Sequence, residues 1–130
     1  MKVIDICKLG VKFSEIWNVI GEYIEDKGFS VVRNYMGHGI CKLFHTLPNV
    51  PHYKKNKTFG IMKPRNIFTI EPMVNEGTWK DVKWLDGWTV VTEDGKRSAQ
   101  LEQNLLVTED GVEVLTARNE NSPPLEFLKK

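Results

Sequence analysis

The stretch SAQLEQNLLVTEDGVEVLT, residues 98–116, is the part of this 130-residue chain that decides its fold class. Two apolar runs flank the dipeptide Asp110–Gly111, and Asp-Gly is a turn that β-hairpins favour because it tolerates positive φ. The same pentapeptide, VTEDG, also occurs at residues 91–95. Two hairpin turns explain this better than an internal repeat does. The stretch therefore predicts antiparallel strands.

Further strands are predicted on the N-terminal side of this stretch. Residues 66–74, NIFTIEPMV, form a strand that Pro72 ends or bulges, because proline cannot donate to a ladder. The full set of predicted strands is residues 29–32, 66–74, 79–84, 88–92, 97–108 and 112–116. Residues 33–65 show no sustained periodicity and are predicted to form a long functional loop.

One amphipathic helix is predicted at residues 13–27. Its apolar residues recur every three or four positions, namely Phe13, Ile16, Trp17, Ile20, Tyr23 and Ile24. Ser14 is the expected N-cap, and Gly28 would end the helix in the left-handed conformation. The prediction is an α+β fold, with an antiparallel sheet packed on one or two helices.

Length, charge and cysteine content exclude several classes of protein. The chain is long enough for one domain only. With 18 basic and 17 acidic residues, nothing in its charge favours nucleic acid or membrane as partner. Cys7 and Cys41 form no CxxC motif and suit a reducing compartment. Residues 1–15 do not read as a signal peptide, and no window could span a bilayer. We expect a soluble, cytoplasmic chain.

Two carboxylates are candidates for chemistry because of where they lie in the predicted strands. Along residues 97–108, Leu105 and Val107 share one face of the predicted strand. Alternation places Glu102 on the other, polar face of this central strand. Glu71 shares a face with Thr69 in the same way. A carboxylate within a sheet is costly unless it is paired, hydrogen-bonded or bound to a metal. The alternative is that each carboxylate lies at a solvated edge.

His38 is the third candidate. Gly37 and Gly39 flank it and would let the backbone adopt left-handed turns or bring the imidazole close to another segment. Imidazole and carboxylates together are ligands for zinc, iron, cobalt or manganese. The alternative is a hydrogen-bonded structural histidine. Spacing alone does not decide between a metal ligand and a structural residue.

Several motifs, taken together and in order, resemble the type 1 methionine aminopeptidases. They are GHGICKLFH at residues 37–45, FTIEPM at 68–73 and DGWTVVTEDGKRSAQLEQNLLVT at 86–108. The resemblance extends over about residues 8–118 and corresponds to the C-terminal half of those enzymes.

This resemblance implies the pita-bread fold, in which two pseudo-symmetric halves enclose a two-metal site. Residues 1–118 would be the C-terminal half of the catalytic domain, and residues 119–130 a tail. The implied activity is metal-dependent removal of the initiator methionine from nascent proteins, with N-terminal methionyl peptides as substrates.

The resemblance also implies a metal site. The family's ligands fall on His38, Glu71 and Glu102 of this chain. The implied cofactor is cobalt, manganese, iron or zinc, with two ions in a complete site. Two further aspartate ligands come from the N-terminal half, and neither Asp5 nor Asp26 matches them. This chain alone would therefore hold at most one ion, weakly.

Catalytic and substrate-binding roles follow from the same motifs. His45 would lie near the substrate amide and stabilise the tetrahedral intermediate, and Glu71 would carry the proton from water to the leaving amine. Phe44 and Trp88 match positions that line the pocket for the methionine side chain. His52 matches no ligand and is interpreted as a loop residue.

Departures from the family pattern leave alternatives open. Gln103 and Asn104 replace the usual His-Thr pair beside Glu102, a change that can weaken metal binding. The alternative function is a catalytically inactive, pita-bread-like binding module. A homodimer could imitate the N-terminal half. The lysines of HYKKNK, residues 52–57, suggest ribosome contact or simply a solvated surface, and no membrane or specific nucleic acid partner is expected.

Overall fold

The computed structural model of the protein describes residues 2–124, which form α-helices and short antiparallel strands. The helices are α1 (Lys2–Asp5) and α2 (Ser14–Glu25). The strands are β1 (Ser30–Val31), β2 (Gly37–Gly39), β3 (Thr46–Val50), β4 (Ile67–Ile70), β5 (Met73–Asn75), β6 (Asp81–Lys83), β7 (Val90–Thr92), β8 (Ser98–Gln100), β9 (Gln103–Val107) and β10 (Val112–Val114). Residues 125–130 of the predicted tail lie outside the described part of the chain.

The strands form three antiparallel sheets. The largest has the order β10-β9-β4-β2-β3, a second has the order β1-β5-β8, and β6 pairs with β7. Helix α2 packs on β1 and β3. The predicted α+β fold, antiparallel sheet on helix, is confirmed.

The core lies between α2 and the five-stranded sheet. The rings of Phe13 and Phe68 meet edge to face, with centroids 5.1 Å apart. The other fully buried apolar side chains of the cluster are Ile16, Val50, Met62, Leu105 and Val107. Leu105 and Val107 both face this core, as alternation in β9 predicts.

Helix α2 confirms the predicted amphipathic segment but differs at two positions. Ile16, Ile20 and Ile24 are buried, whereas Tyr23 is 54% exposed and packs its ring under the Lys27 ammonium. Ser14 is the first helical residue, not the cap, and no side chain caps the N-terminus. Gly28 has φ of 78° and ends the helix as predicted.

Only one of the two VTEDG segments turns a hairpin. Residues 107–112 join β9 to β10, with Val107 opposite Val112. The hairpin predicted at residues 91–95 is wrong, because β7 and β8 belong to different sheets. There Asp94 accepts hydrogen bonds from the backbone N–H groups of Thr78 and Lys96. Gly95 has a φ of 69°, whereas Gly111 has no positive φ, so the same pentapeptide adopts different turns, and at residues 91–95 it passes the chain from one sheet to another.

The predicted strand at residues 97–108 is split in two by its partners. Ile70 pairs with Gln103 and Met73 pairs with Gln100, so the interruption at Pro72 lies opposite Leu101 and Glu102. Leu101 is 62% exposed and does not share the buried face of Leu105. The placement of Glu102 within a central strand is therefore wrong.

The long loop predicted at residues 33–65 is also wrong, because it contains β2 and β3. These strands include glycine and proline, which are poor strand formers, and their neighbours in the sheet hold them.

Within residues 2–124, no helix has the length and apolar character needed to cross a membrane.

Candidate functional site

His38 lies at the centre of β2, where two glycines allow other strands to approach. A Cβ on Gly37 would overlap the Thr69 carbonyl oxygen of β4, and a Cβ on Gly39 would overlap the Leu47 carbonyl oxygen of β3. Neither glycine has a positive φ. Close approach, rather than a left-handed turn, is thus the reason that glycines flank His38.

Thr69 connects His38 to Glu71. The Thr69 hydroxyl accepts the backbone N–H of His38 at 2.9 Å and donates to Glu71 Oε1 at 2.7 Å. Thr69 is completely buried. One hydroxyl therefore sets the distance between the two strands and the orientation of the carboxylate. Alternation places Thr69 and Glu71 on one face, but it assigns no role to Thr69.

The His38 ring is oriented so that its second nitrogen faces Glu71. Nδ1 lies 3.0 Å from the carbonyl oxygen of Gly39, which can only accept, so Nδ1 carries the proton. Nε2 then lies 3.6 Å from Glu71 Oε1. In the neutral ring, two lone pairs face each other. A cation between them would remove that repulsion, and imidazole with carboxylate is a donor set that divalent metals accept.

Glu102 follows this pair in the register of the sheet. Ile70 opposite Gln103 is the last pair between β4 and β9, and Glu71 and Glu102 are the next residue of each strand beyond that pair. Glu102 itself is exposed and lies between β8 and β9. Within residues 2–124, no three His, Cys, Asp or Glu side chains converge on a metal-binding arrangement. The structure thus joins two of the three predicted ligands and places the third at the same edge.

An aromatic group borders His38 on its outer side. The ring centroids of His38 and His45 are 4.3 Å apart, and those of Phe44 and His45 are 4.7 Å apart. Phe44 is 70% exposed. The predicted substrate-facing residues His45 and Phe44 therefore lie beside the predicted ligand.

Trp88 is not part of this group. It lies in the turn between β6 and β7, where its backbone N–H donates to Asp86, and it is 87% exposed. The ring contacts found among residues 2–124 do not include Trp88. Its predicted role in the substrate pocket stays a prediction.

His52 is fully buried, which its interpretation as a loop residue did not anticipate. It is 1% exposed, and its Nε2 accepts the backbone N–H of Glu71 at 3.3 Å. Burial lowers its pKa from 6.5 to about 3. The apolar residues that flank His52 in the run Val50–Pro51–His52–Tyr53 were the sequence feature that could have indicated its burial. Its partner could not be found from local sequence.

Gln103 and Asn104 take up contacts with the end of β10. Gln103 Oε1 accepts the Thr116 hydroxyl at 2.7 Å, and that hydroxyl accepts the Asn104 backbone N–H at 3.0 Å. Asn104 lies opposite Thr69 in the sheet, and its buried Oδ1 has no hydrogen-bond partner. These two residues thus fasten β9 beside the candidate site.

The lysines of residues 52–57 are not equivalent. Lys54 Nζ lies 2.9 Å from Glu25 Oε2 on α2, and this hydrogen bond raises the pKa of Lys54. Its side chain also packs against Gly21. The predicted ribosome contact would therefore depend on Lys55 and Lys57.

Comparisons with known proteins agree with this geometry. The chain is 58% identical over 120 residues to methionine aminopeptidase 1 of Saccharomyces cerevisiae and 59% identical over 122 residues to methionine aminopeptidase 1A of Arabidopsis thaliana. Its fold superposes on the crystal structure of methionine aminopeptidase from Rickettsia prowazekii with a TM-score of 0.84 and 42% identity. The fold is thus one half of the pita-bread fold.

The shares of each chain that match are unequal. The yeast match covers 92% of this chain and 31% of the yeast protein, and the Arabidopsis match covers 94% and 31%. The Rickettsia match covers 90% of this chain and 48% of that one. The chain therefore spans about a third of these curated relatives and about half of the solved one. The family model for metallopeptidase family M24 matches residues 1–109, and the chain belongs to that family.

Proposed function

We infer that the chain supplies one half of the active site of a methionine aminopeptidase, which removes the N-terminal methionine from nascent proteins in the cytoplasm. The observation that carries this proposal is the pair formed by His38 Nε2 and Glu71 Oε1, 3.6 Å apart and held by Thr69. The similarity to methionine aminopeptidases over more than nine-tenths of the chain supports it.

A divalent metal fits the donors at this edge. His38 and Glu71 would hold it, and Glu102 would join them from its position next to Gln103, beyond the last pair of β4 and β9. Cobalt, manganese, iron or zinc would activate a water and polarise the scissile carbonyl when bound. The resemblance implies two ions for a complete site. The residues of this chain would hold at most one, weakly, because two aspartate ligands are not among them.

The chain's own residues divide the remaining work. Thr69 donates to Oε1 of Glu71, and the carboxylate that it orients would take a proton from water and deliver it to the leaving amine. His45, whose ring lies against His38, would donate to the substrate amide oxygen. The exposed ring of Phe44 would contact the apolar methionine side chain.

Methionine release from a Met-Ala-Ser peptide tests this proposal. The chain would be assayed with cobalt or manganese, alone and mixed with the N-terminal portion of the yeast enzyme that it does not match. We expect release only from the mixture, and loss of release with Glu102→Ala. Glu113→Ala, which removes an exposed carboxylate from β10, should leave release unchanged. Release that survives Glu102→Ala would contradict the assignment.

An inactive binding module is the second candidate. Gln103 and Asn104 favour it, since they bond to Thr116 rather than to the candidate ligands. Metal content separates the two proposals, because a binding module should purify without bound metal from medium containing cobalt or manganese. Saturable binding that is lost in Glu71→Gln would exclude the module.

A further inference from the structure

We propose that His52 is a positioning residue of the candidate site, which accepts the backbone N–H of Glu71 and thereby fixes the Glu71 carboxylate opposite His38. The inference rests on the proposed function only in treating Glu71 as a functional side chain. Nothing in the family motifs assigned a role to His52.

The backbone at Glu71 needs such a partner because the sheet does not hold it. Glu71 lies just beyond β4, past the last pair between Ile70 and Gln103. The following residue, Pro72, has no N–H to donate. Glu71 is half-buried, and an N–H withdrawn from water without an acceptor is costly, so the Glu71 N–H takes an acceptor outside the ladder.

His52 provides that acceptor, and Gln100, at the end of β8, also contacts Glu71. His52 Nε2 lies 3.3 Å from the Glu71 nitrogen. The Gln100 amide lies 3.4 Å from both the carbonyl oxygen and Oε2 of Glu71. Gln100 is exposed, whereas His52 is 1% exposed and shielded from competing water. The histidine is therefore the more durable of the two supports.

The same strand carries histidines to both sides of the site. His45 precedes β3 and lies against His38, and His52 follows β3 and lies under Glu71. A displacement of β3 would therefore move His45 and Glu71 together. This coupling gives His52 a role beyond filling space in the core.

Three variants of His52 separate an acceptor from a space-filling ring. Glutamine places Oε1 at about the position of Nε2, so His52→Gln keeps the acceptor. His52→Asn keeps an amide that is too short to reach, and His52→Phe keeps the ring without an acceptor. The full chain would be labelled with nitrogen-15 and studied by NMR, with the amide of Phe68 on β4 as the control for folding.

Two readouts decide the inference. We expect the Glu71 amide to exchange with solvent about tenfold faster in His52→Asn and His52→Phe, the equivalent of one hydrogen bond, while His52→Gln keeps the native rate. We also expect the Nε2 resonance of His38 to shift in His52→Asn and His52→Phe but not in His52→Gln, because the Glu71 carboxylate facing it moves. Native Glu71 exchange in His52→Asn would overturn the inference. Faster exchange of the Glu71 amide without a shift of the His38 Nε2 resonance would also overturn it, because His52 would then have only a structural role.

Cobalt titration links the result to the proposed function. If the wild-type chain binds cobalt, His52→Asn should weaken the affinity by about tenfold or more, as loss of a group supporting a ligand does. If the wild-type chain binds no cobalt, the metal assignment fails, and the NMR readouts still decide the role of His52. The two failures are therefore distinguishable.

Discussion

At the scale of single residues, Thr69 shows how one hydroxyl organises the site. It takes a hydrogen bond from the backbone of β2 and gives one to Glu71, so both of its bonding roles are used. Because Thr69 is fully buried, water cannot replace it.

Replacing this hydroxyl tests that role. Thr69→Val should lower the free energy of unfolding by about 1–3 kcal/mol, because the His38 N–H loses its acceptor. Thr69→Ser keeps the hydroxyl and should restore the cobalt affinity that Thr69→Val loses. Urea unfolding and cobalt titration measure the two effects. Equal stability of the valine and serine variants would contradict the assignment.

The buried ring of His52 predicts a dependence of stability on pH. Its pKa is about 3 in the folded protein and 6.5 as the ordinary value, so between these values the unfolded chain binds the extra proton. The contribution of neutral His52 is therefore complete above pH 6.5 and is lost as the pH falls towards 3. The slope from this group cannot exceed about 1.4 kcal/mol per pH unit.

Comparison with His52→Gln isolates this contribution. Asp86 and Asp94 also have lowered pKa values, from their hydrogen bonds to Thr89 and to the Thr78 N–H respectively, and they weaken the fold in acid in the same direction. The glutamine variant should lose less stability than the wild type between pH 6.5 and 4. Parallel curves for the two proteins would show that His52 does not titrate as described.

At the scale of elements, β2 depends on the absence of side chains on either side of His38. A methyl group on Gly39 would overlap the Leu47 carbonyl oxygen, a backbone atom that cannot move without β3. Gly39→Ala should therefore lower the free energy of unfolding by about 2 kcal/mol. Gly111→Ala is the matched control, because nothing lies within 4 Å of the added carbon there. Unfolding curves that coincide for the two variants would contradict the close packing of β2.

Local patterns predicted those elements that local sequence determines. The spacing of Ile16, Ile20 and Ile24 and the glycine at 28 were sufficient for α2, and Asp110–Gly111 was sufficient for the β9–β10 hairpin. Strands β2 and β3 escaped prediction because distant strands hold them. The split of residues 97–108 was also missed, since Pro72 in the partner strand causes it.

The site was predictable to a similar degree. Alternation placed Glu71 and Thr69 on one face, and the family motifs supplied His38 and His45. His52 required the packing of β3 against the end of β4, which no local pattern contains. Non-local hydrogen bonds were thus the information that the sequence analysis lacked.

At the scale of the whole molecule, apolar side chains next to the site are open to solvent. Leu43 and Phe44 are each 70% exposed and Leu47 is 77% exposed. Such a patch is typical of a surface that another protein covers. The chain also spans only 48% of the Rickettsia enzyme on which it superposes.

The homodimer, which the sequence leaves open as an alternative, makes a direct prediction from this patch. The isolated chain should sediment as a dimer at micromolar concentration, and Leu43→Ser with Leu47→Ser should shift it to a monomer. Leu85→Ser, in the turn between β6 and β7, is the matched control and should leave the dimer intact. A wild-type chain that sediments as a monomer would exclude this assembly.

The simultaneous end of pairing at Pro72 and at Leu101 has a consequence for the trade-off between stability and activity. It leaves Glu71 and Glu102 at corresponding positions just outside the ladder, where two carboxylates at one edge of a sheet repel each other. Without a cation, Glu102→Gln should therefore raise the free energy of unfolding by a few tenths to about 1 kcal/mol. With cobalt present, the same variant should be the less stable one. The metal-free protein would in this way carry a built-in instability that only its ligand relieves.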